Sequence, residues 1–362
     1  MSQSPSEFKA IGLLNLKDWP NAKSFSYKPY QARPQDVDIK IISCGICGSD
    51  LHASKGHWGD IPVPRAFGHE IVGEIVALGD EVDRSKYKIG QRVGVGAQCD
   101  SCGECYRCNN HKANCCRKGT HLYLHSYPDG TLVQGGYASH IRVNSRFAIP
   151  IPEGLASEDA SPMLCGGITG FRPLLTYGVK KGTKVGVSGI GGIGHMTIMF
   201  AKALGAEVTA ISRSNSKKAL ATQIGADHFV ATNEEGFEEK YADTLDLIVN
   251  TASDFEPESF NKVTSMLKPD GRVTFITAPP VGTQISLEPM FYLINGYHIG
   301  GSAIGSPEEI EYMLKLAAEH NIKPMIETFD ISEENVKKAW ERVDKGDVRF
   351  RAVLTGYDKF FK

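Results

Sequence analysis

Four cysteines in the array Cys102-x2-Cys105-x2-Cys108-x7-Cys116 crowd thiol sulfur into one short segment, a pattern suited to one tetrahedral metal. Thiolates about 2.3 Å from a Zn2+ ion complete a tetrahedron, and four protein ligands leave no position for water or substrate. The expected role is therefore structural. Cys99 lies outside the array, and on spacing alone Cys115 competes with Cys116 for the fourth place.

A second motif, Gly189-Ile190-Gly191-Gly192-Ile193-Gly194, follows the strand-like KVGVS and precedes the apolar, helix-like HMTIMFAKALG. In that context Gly189 permits a tight turn and Gly191 lets backbone approach a pyrophosphate, with Gly192 beside it in the same cofactor-binding turn. Gly194 lets helix and strand pack closely, and the helix N-terminus offers N–H groups to the anion. The residues expected at the end of the next strand, Ser212, Arg213 and Lys217, include no carboxylate for a ribose 2′-hydroxyl; their hydroxyl and cationic donors suit a 2′-phosphate. NADP(H) is the expected dinucleotide.

Three further pieces carry metal-ligand chemistry in glycine-rich turns: Cys44-Gly-Ile-Cys47-Gly-Ser49-Asp-Leu-His52, Gly68-His69-Glu70 and Cys165-Gly-Gly. They offer thiolate, imidazole and carboxylate, but spacing cannot join groups so far apart in the chain.

The elements that must position these residues change character near residue 155. Before it, β-rich segments such as Asp38–Ser43, Glu70–Leu78 and Arg92–Val95 alternate with glycine turns, as in a β-rich lobe. After it, Lys184–Ser188, Glu207–Ile211, Phe229–Ala231, Asp246–Asn250 and Arg272–Ile276 are short β-rich runs separated by helix-length stretches, as in βαβ units of a parallel sheet. Amphipathic helices are expected around Pro307–Glu319 and Glu333–Lys345. The 362 residues exceed one ordinary core. The net charge of −2, with acids and bases intermixed, gives no footprint for nucleic acid or a charged membrane surface. The N-terminal sequence has no basic region followed by a sustained apolar stretch, and the chain has no Asn-x-Ser/Thr site, so a cytoplasmic location is expected.

Taken together, CGICGSDLH, GHEIVGEI, the four-cysteine loop, LCGGIT, GIGGIGH and KGDVRFR make the chain resemble the zinc-dependent medium-chain dehydrogenase/reductase superfamily, in its cinnamyl alcohol dehydrogenase group. The similarity is closest to the broad-specificity, NADP-dependent microbial members. The resemblance implies an α/β protein with a GroES-like β-rich catalytic domain at 1–155, a Rossmann doubly wound parallel sheet at 156–298, and a return to the catalytic domain at 299–362. It implies two Zn2+ ions per subunit. A catalytic zinc would be bound by Cys47, His69 and Cys165, with Glu70 as a fourth ligand when substrate or water is absent; the structural zinc would take Cys116 with Cys102, Cys105 and Cys108. Cys44 would be no ligand.

The activity so implied is reversible NADPH-linked reduction of aldehydes, aromatic ones such as cinnamaldehydes and aliphatic ones, to primary alcohols. Zinc polarises the carbonyl and nicotinamide supplies hydride. By family similarity Ser49 relays a proton by way of the nicotinamide ribose hydroxyl to His52, which exchanges with solvent. Trp58 offers an aromatic wall for an aryl aldehyde. Group members often carry a tryptophan after the structural zinc loop; here the stretch is Arg117-Lys118-Gly119-Thr120-His121-Leu122, so a permissive pocket is expected. The resemblance also suggests a homodimer paired through the Rossmann sheets. Two alternatives stand beside this reading: an NAD-linked polyol or alcohol dehydrogenase, against which the missing acid near Ser212 argues, and a zinc-bearing interaction module, which would have no use for GIGGIG.

Overall fold

Short β-strands open the chain in a computed structural model that describes residues 4–252 and 256–362. β1 (Phe8–Leu13) and β2 (Lys23–Tyr27) pair antiparallel, and β3 (Asp36–Ile46) is buried along nearly its whole length. The short helix α1 (Gly48–Ser54) follows β3, and β4 (Arg65–Ala66) adds to β1. β5 (Glu70–Leu78) pairs antiparallel with β3, and β6 (Arg92–Val95) with β5. β7 (Gln98–Asp100) and β8 (Thr120–His121) pair at the two ends of the cysteine-rich segment. β9 (His140–Asn144) then joins β3, and β10 (Ile149–Pro150) joins β6.

Helix α2 (Ser157–Pro162) packs on β3 and β5, and its Ser161 hydroxyl lies 2.7 Å from that of Ser43. The first compact unit therefore extends to Cys165 and not only to residue 155, and it takes up the chain again at Gly305. Between them lies the second unit, Gly166–Ile304. In it β11 (Lys184–Ser188), α3 (Gly194–Ala203), β12 (Glu207–Ser212), β13 (His228–Ala231), β14 (Leu245–Asn250), β15 (Leu267–Phe275), α4 (Pro289–Asn295) and β16 (His298–Gly301) follow in order. All six strands are parallel, in the order β13-β12-β11-β14-β15-β16. The direction of winding reverses beside β11, where doubly wound sheets hold their ligands.

The returning segment carries α5 (Pro307–Glu319), β17 (Ile326–Asp330), α6 (Glu333–Asp344) and β18 (Arg351–Thr355). Ser332 caps α6 by accepting from the Asn335 N–H, and Val336, Ala339 and Trp340 form its buried stripe at helical spacing. β18 inserts antiparallel beside β3 and parallel to β17, completing a seven-stranded sheet. Among the described residues no helix is long and apolar enough to cross a membrane.

Candidate active site

The turn after β7 gathers Cys102, Cys105, Cys108 and Cys116. Neighbouring sulfurs lie 3.5 to 3.9 Å apart, too far for disulfides, and all are free thiols. A tetrahedron of sulfurs about 2.3 Å from a central Zn2+ has edges of about 3.8 Å, which the four thiols approach. Backbone N–H groups, that of Cys108 foremost, lower the Cys105 thiol to about 6, which favours the thiolate a metal requires. Cys115 stands outside the group, its carbonyl taken by Arg107.

A second cluster forms where three distant segments meet in the first unit. Cys47 is the residue between β3 and α1, His69 and Glu70 open β5, and Cys165 lies in a π-helical turn, Met163–Gly167. One donor atom of each lies within 4.8 Å of the others, and all four residues are buried. β3 and β5 bring this about by pairing Gly45 opposite Glu70. A Cβ on Gly45 would stand 2.0 Å from Glu70 Oε2, so only glycine admits the carboxylate here.

Partners fix the donors. Asp50, fully buried, accepts the Cys47 N–H at 2.9 Å and faces His69 Nδ1 at 3.0 Å. Nδ1–H therefore points to the carboxylate, and Nε2, buried and without a hydrogen-bond partner among the described residues, remains for a metal. Tyr123 OH also lies against Nδ1, and Arg351 of β18 pairs with Glu70 in the interior. Burial pushes the Glu70 carboxyl up to about 7 against the pull of Arg351. A hydrogen bond from Cys165 holds the Cys47 thiol well below its ordinary value, and the same bond raises Cys165. Two thiols and an imidazole suit a zinc that keeps its fourth position open for substrate, and the Glu70 carboxylate lies close enough to fill that position when substrate is absent.

Ser49 and His52 sit three residues apart on α1, hence on one face. Ser49 Oγ is 3.8 Å from Cys47 Sγ, and His52 Nδ1 is 2.9 Å from Nδ1 of the exposed His57. Burial, with His57 nearby, holds His52 below its ordinary value. Trp58 stacks on the His52 ring, with centroids 5.4 Å apart. The sequence reading missed His57, Asp50, Tyr123 and Arg351. Asp50 and Arg351 stand inside motifs already noted, CGICGSDLH and KGDVRFR, whereas nothing local marks Tyr123.

In the second unit a groove is lined by Gly189 and Gly191 from the turn after β11, by Ser212 at the end of β12 with Arg213 and Lys217 after it, and by Asn250 at the end of β14. Gly192 occupies the same turn and Gly194 opens α3. A Cβ on Gly194 would lie 2.0 Å from the Gly189 carbonyl oxygen, and a Cβ on Gly191 would project into open space. The cradle thus has room for a phosphate against backbone. Arg213 is exposed at its rim, while Lys217 Nζ donates to the Ile190 carbonyl at 2.6 Å and so tethers the glycine turn.

Residues 33–153 match the alcohol dehydrogenase GroES-like domain, and residues 192–319 the zinc-binding dehydrogenase domain. The chain is 46% identical over 358 residues to the NADP-dependent alcohol dehydrogenase 6 of Saccharomyces cerevisiae, covering 99% of each. Cinnamyl alcohol dehydrogenase from Sorghum bicolor superposes with a TM-score of 0.88 at 32% identity, over 97% of this chain and 98% of that one. The Helicobacter pylori enzyme of that name, complexed with NADP(H), gives 0.87 at 31% identity with the same coverage.

Proposed function

The chain belongs to the zinc-dependent alcohol dehydrogenases of the medium-chain dehydrogenase/reductase family, cinnamyl alcohol dehydrogenase group, and we propose that it reversibly reduces aromatic and aliphatic aldehydes to primary alcohols with NADPH. The observation that carries this reading is the buried set of two thiols, an imidazole and a carboxylate within 4.8 Å, with His69 Nε2 left for an ion. When bound, Zn2+ supplies a Lewis acid for the carbonyl oxygen and NADPH supplies hydride. Cys47, His69 and Cys165 would hold the ion, and Glu70, steadied by Arg351, would serve as a fourth donor when substrate or water is absent. Ser49 Oγ delivers the proton that the product oxygen needs and recovers it through His52, which passes protons onward by way of His57.

Gly189, Gly191, Gly192 and Gly194 would cradle the dinucleotide phosphates, with Ser212, Arg213 and Lys217 toward the 2′-phosphate. Trp58 would flank the aldehyde. A second, closed Zn2+ in the four-thiol loop would hold that segment together. The domain reading is a GroES-like domain, a Rossmann insert and a return. A homodimer is supported by the edge strand β16 and by Leu293 and Ile294 of the preceding α4, each 71% exposed; sedimentation equilibrium tests it, a monomer overturning it. A cytoplasmic site of action accords with nine free cysteines, and cell fractionation tests it.

Metal analysis combined with NADPH oxidation on a panel of aldehydes is the central test. Two zinc ions per chain and turnover that stops when one is withdrawn are expected. Turnover untouched by chelation, or NADH used as well as NADPH, overturns the reading.

A further inference from the structure

Asp50 is a carboxylate with no solvent exposure and, among the described residues, no lysine or arginine partner. Its charge rests on His69 and on donors: the Cys47 and Gly68 N–H groups at 2.9 and 3.3 Å, and the Tyr137 hydroxyl at 3.0 Å. One carboxylate thereby ties the two turns that carry Cys47 and His69. The Tyr137 hydroxyl has a single proton, and where it points is decided by a fourth residue. Trp340 Nε1, which can only donate, lies 3.4 Å from the same oxygen, so it occupies a lone pair and leaves the O–H directed at Asp50.

The backbone around Tyr137 buttresses the same turn. Tyr137 N–H donates to the Phe67 carbonyl at 2.9 Å and Gly136 N–H to that of Gly68 at 2.7 Å. The Tyr137 ring closes against Gly68, where a Cβ would meet its Cε1 at 2.5 Å. Trp340, at the buried face of α6, packs edge-on against Phe67 with centroids 5.6 Å apart. A chain Trp340–Tyr137–Asp50–His69 thus runs from the returning segment to the imidazole.

We propose that Tyr137 is a positioning residue of the open metal centre: its hydroxyl, oriented by Trp340, fixes the Asp50 carboxylate and through it the Cys47 and His69 donors. The inference rests on the reading that this cluster binds a metal. Outer-shell partners commonly govern about 10- to 100-fold in metal affinity. Tyr137 stands one bond beyond Asp50, so its hydroxyl belongs at the lower end of that range.

Tyr137→Phe keeps the ring and removes only the oxygen. Its zinc affinity at the open site, measured by competition with a chromophoric chelator, is expected to fall about tenfold. The visible spectrum of its cobalt(II) form should shift, while the four-thiol site, an internal control, keeps its metal. Wild-type affinity with a wild-type cobalt spectrum overturns the proposal, even if the melting temperature drops. If Tyr137→Phe does not fold, Trp340→Phe decides: it frees the hydroxyl to turn, so a smaller loss in the same direction is expected, and none overturns the proposal. Should Cys47→Ser bind as much metal as wild type, the metal reading itself fails, an outcome distinct from an unaffected Tyr137→Phe.

Discussion

Ser49 and His52 share a face of α1 immediately after Cys47, and the proposed mechanism makes them a proton relay and not ligands. Ser49→Ala should leave metal content and NADPH affinity unchanged and slow aldehyde reduction by about a hundredfold or more, because the immediate proton donor is gone. His52→Ala should cost about 10- to 100-fold, since water can replace the outer member of a relay. Steady-state kinetics with a zinc assay decides; full activity in Ser49→Ala, or metal loss in either, removes them from the mechanism. Cofactor choice also rests on single side chains. With Lys217 engaged on the Ile190 carbonyl, discrimination falls chiefly to Arg213 and Ser212. Two hydrogen bonds to a charged phosphate contribute on the order of 3 kcal/mol, so NADPH should be preferred by at least about a hundredfold, and Arg213→Asp should invert that order. Equal kcat/KM for NADH and NADPH in the wild type would falsify this account of the groove.

At the scale of elements, the open cluster is a product of sheet register. β3 sets Gly45 opposite Glu70 of β5 and opposite Val353 of β18, so the carboxylate lies over a strand that cannot carry a side chain at that point. Gly45→Ala should destabilise the protein by about 1–3 kcal/mol through overpacking and should lower zinc occupancy at the open site by displacing Glu70. A melting curve and metal content that both match wild type would dissociate the register from the site. Register also marks what the sequence could disclose. The four-thiol loop and the glycine turn were legible because their residues follow one another within a single segment. Arg351 stands 281 residues from Glu70 and was legible only as part of an unexplained motif. Tyr137 carries no local signal at all, because its importance arises only when 135–137 runs beside 66–68. The extension of the first unit to Cys165 has the same origin, since nothing within 156–165 shows that α2 packs on β3 and β5.

For the whole molecule, half-buried histidines tie stability to pH. Burial, with His125 nearby, lowers His121 to about 4, and burial with Lys40 does the same to His140. An unfolded histidine near 6.5 binds protons that these folded ones refuse, so their contribution to stability rises with pH between about 4 and 6.5 and falls on acidification through that window. His121 alone contributes a slope of at most about 1.4 kcal/mol per pH unit. Urea midpoints at pH 7 and pH 5 should therefore differ less in His121→Gln than in wild type; an equal difference would exclude His121 as a source. The interrupted course of the first unit bears on how the molecule is made. Chains are synthesised N-terminus first, and early segments fold while later ones are still being added. The thiols from Cys102 to Cys116 can close on an ion as soon as their own loop leaves the ribosome. The ligands of the other cluster have all been made by Cys165, but β18, which sets Arg351 against Glu70, arrives only after the insert. The structural zinc could thus be taken up by a nascent chain, whereas the catalytic site would reach its final form, with Glu70 held by Arg351, only after synthesis is nearly over.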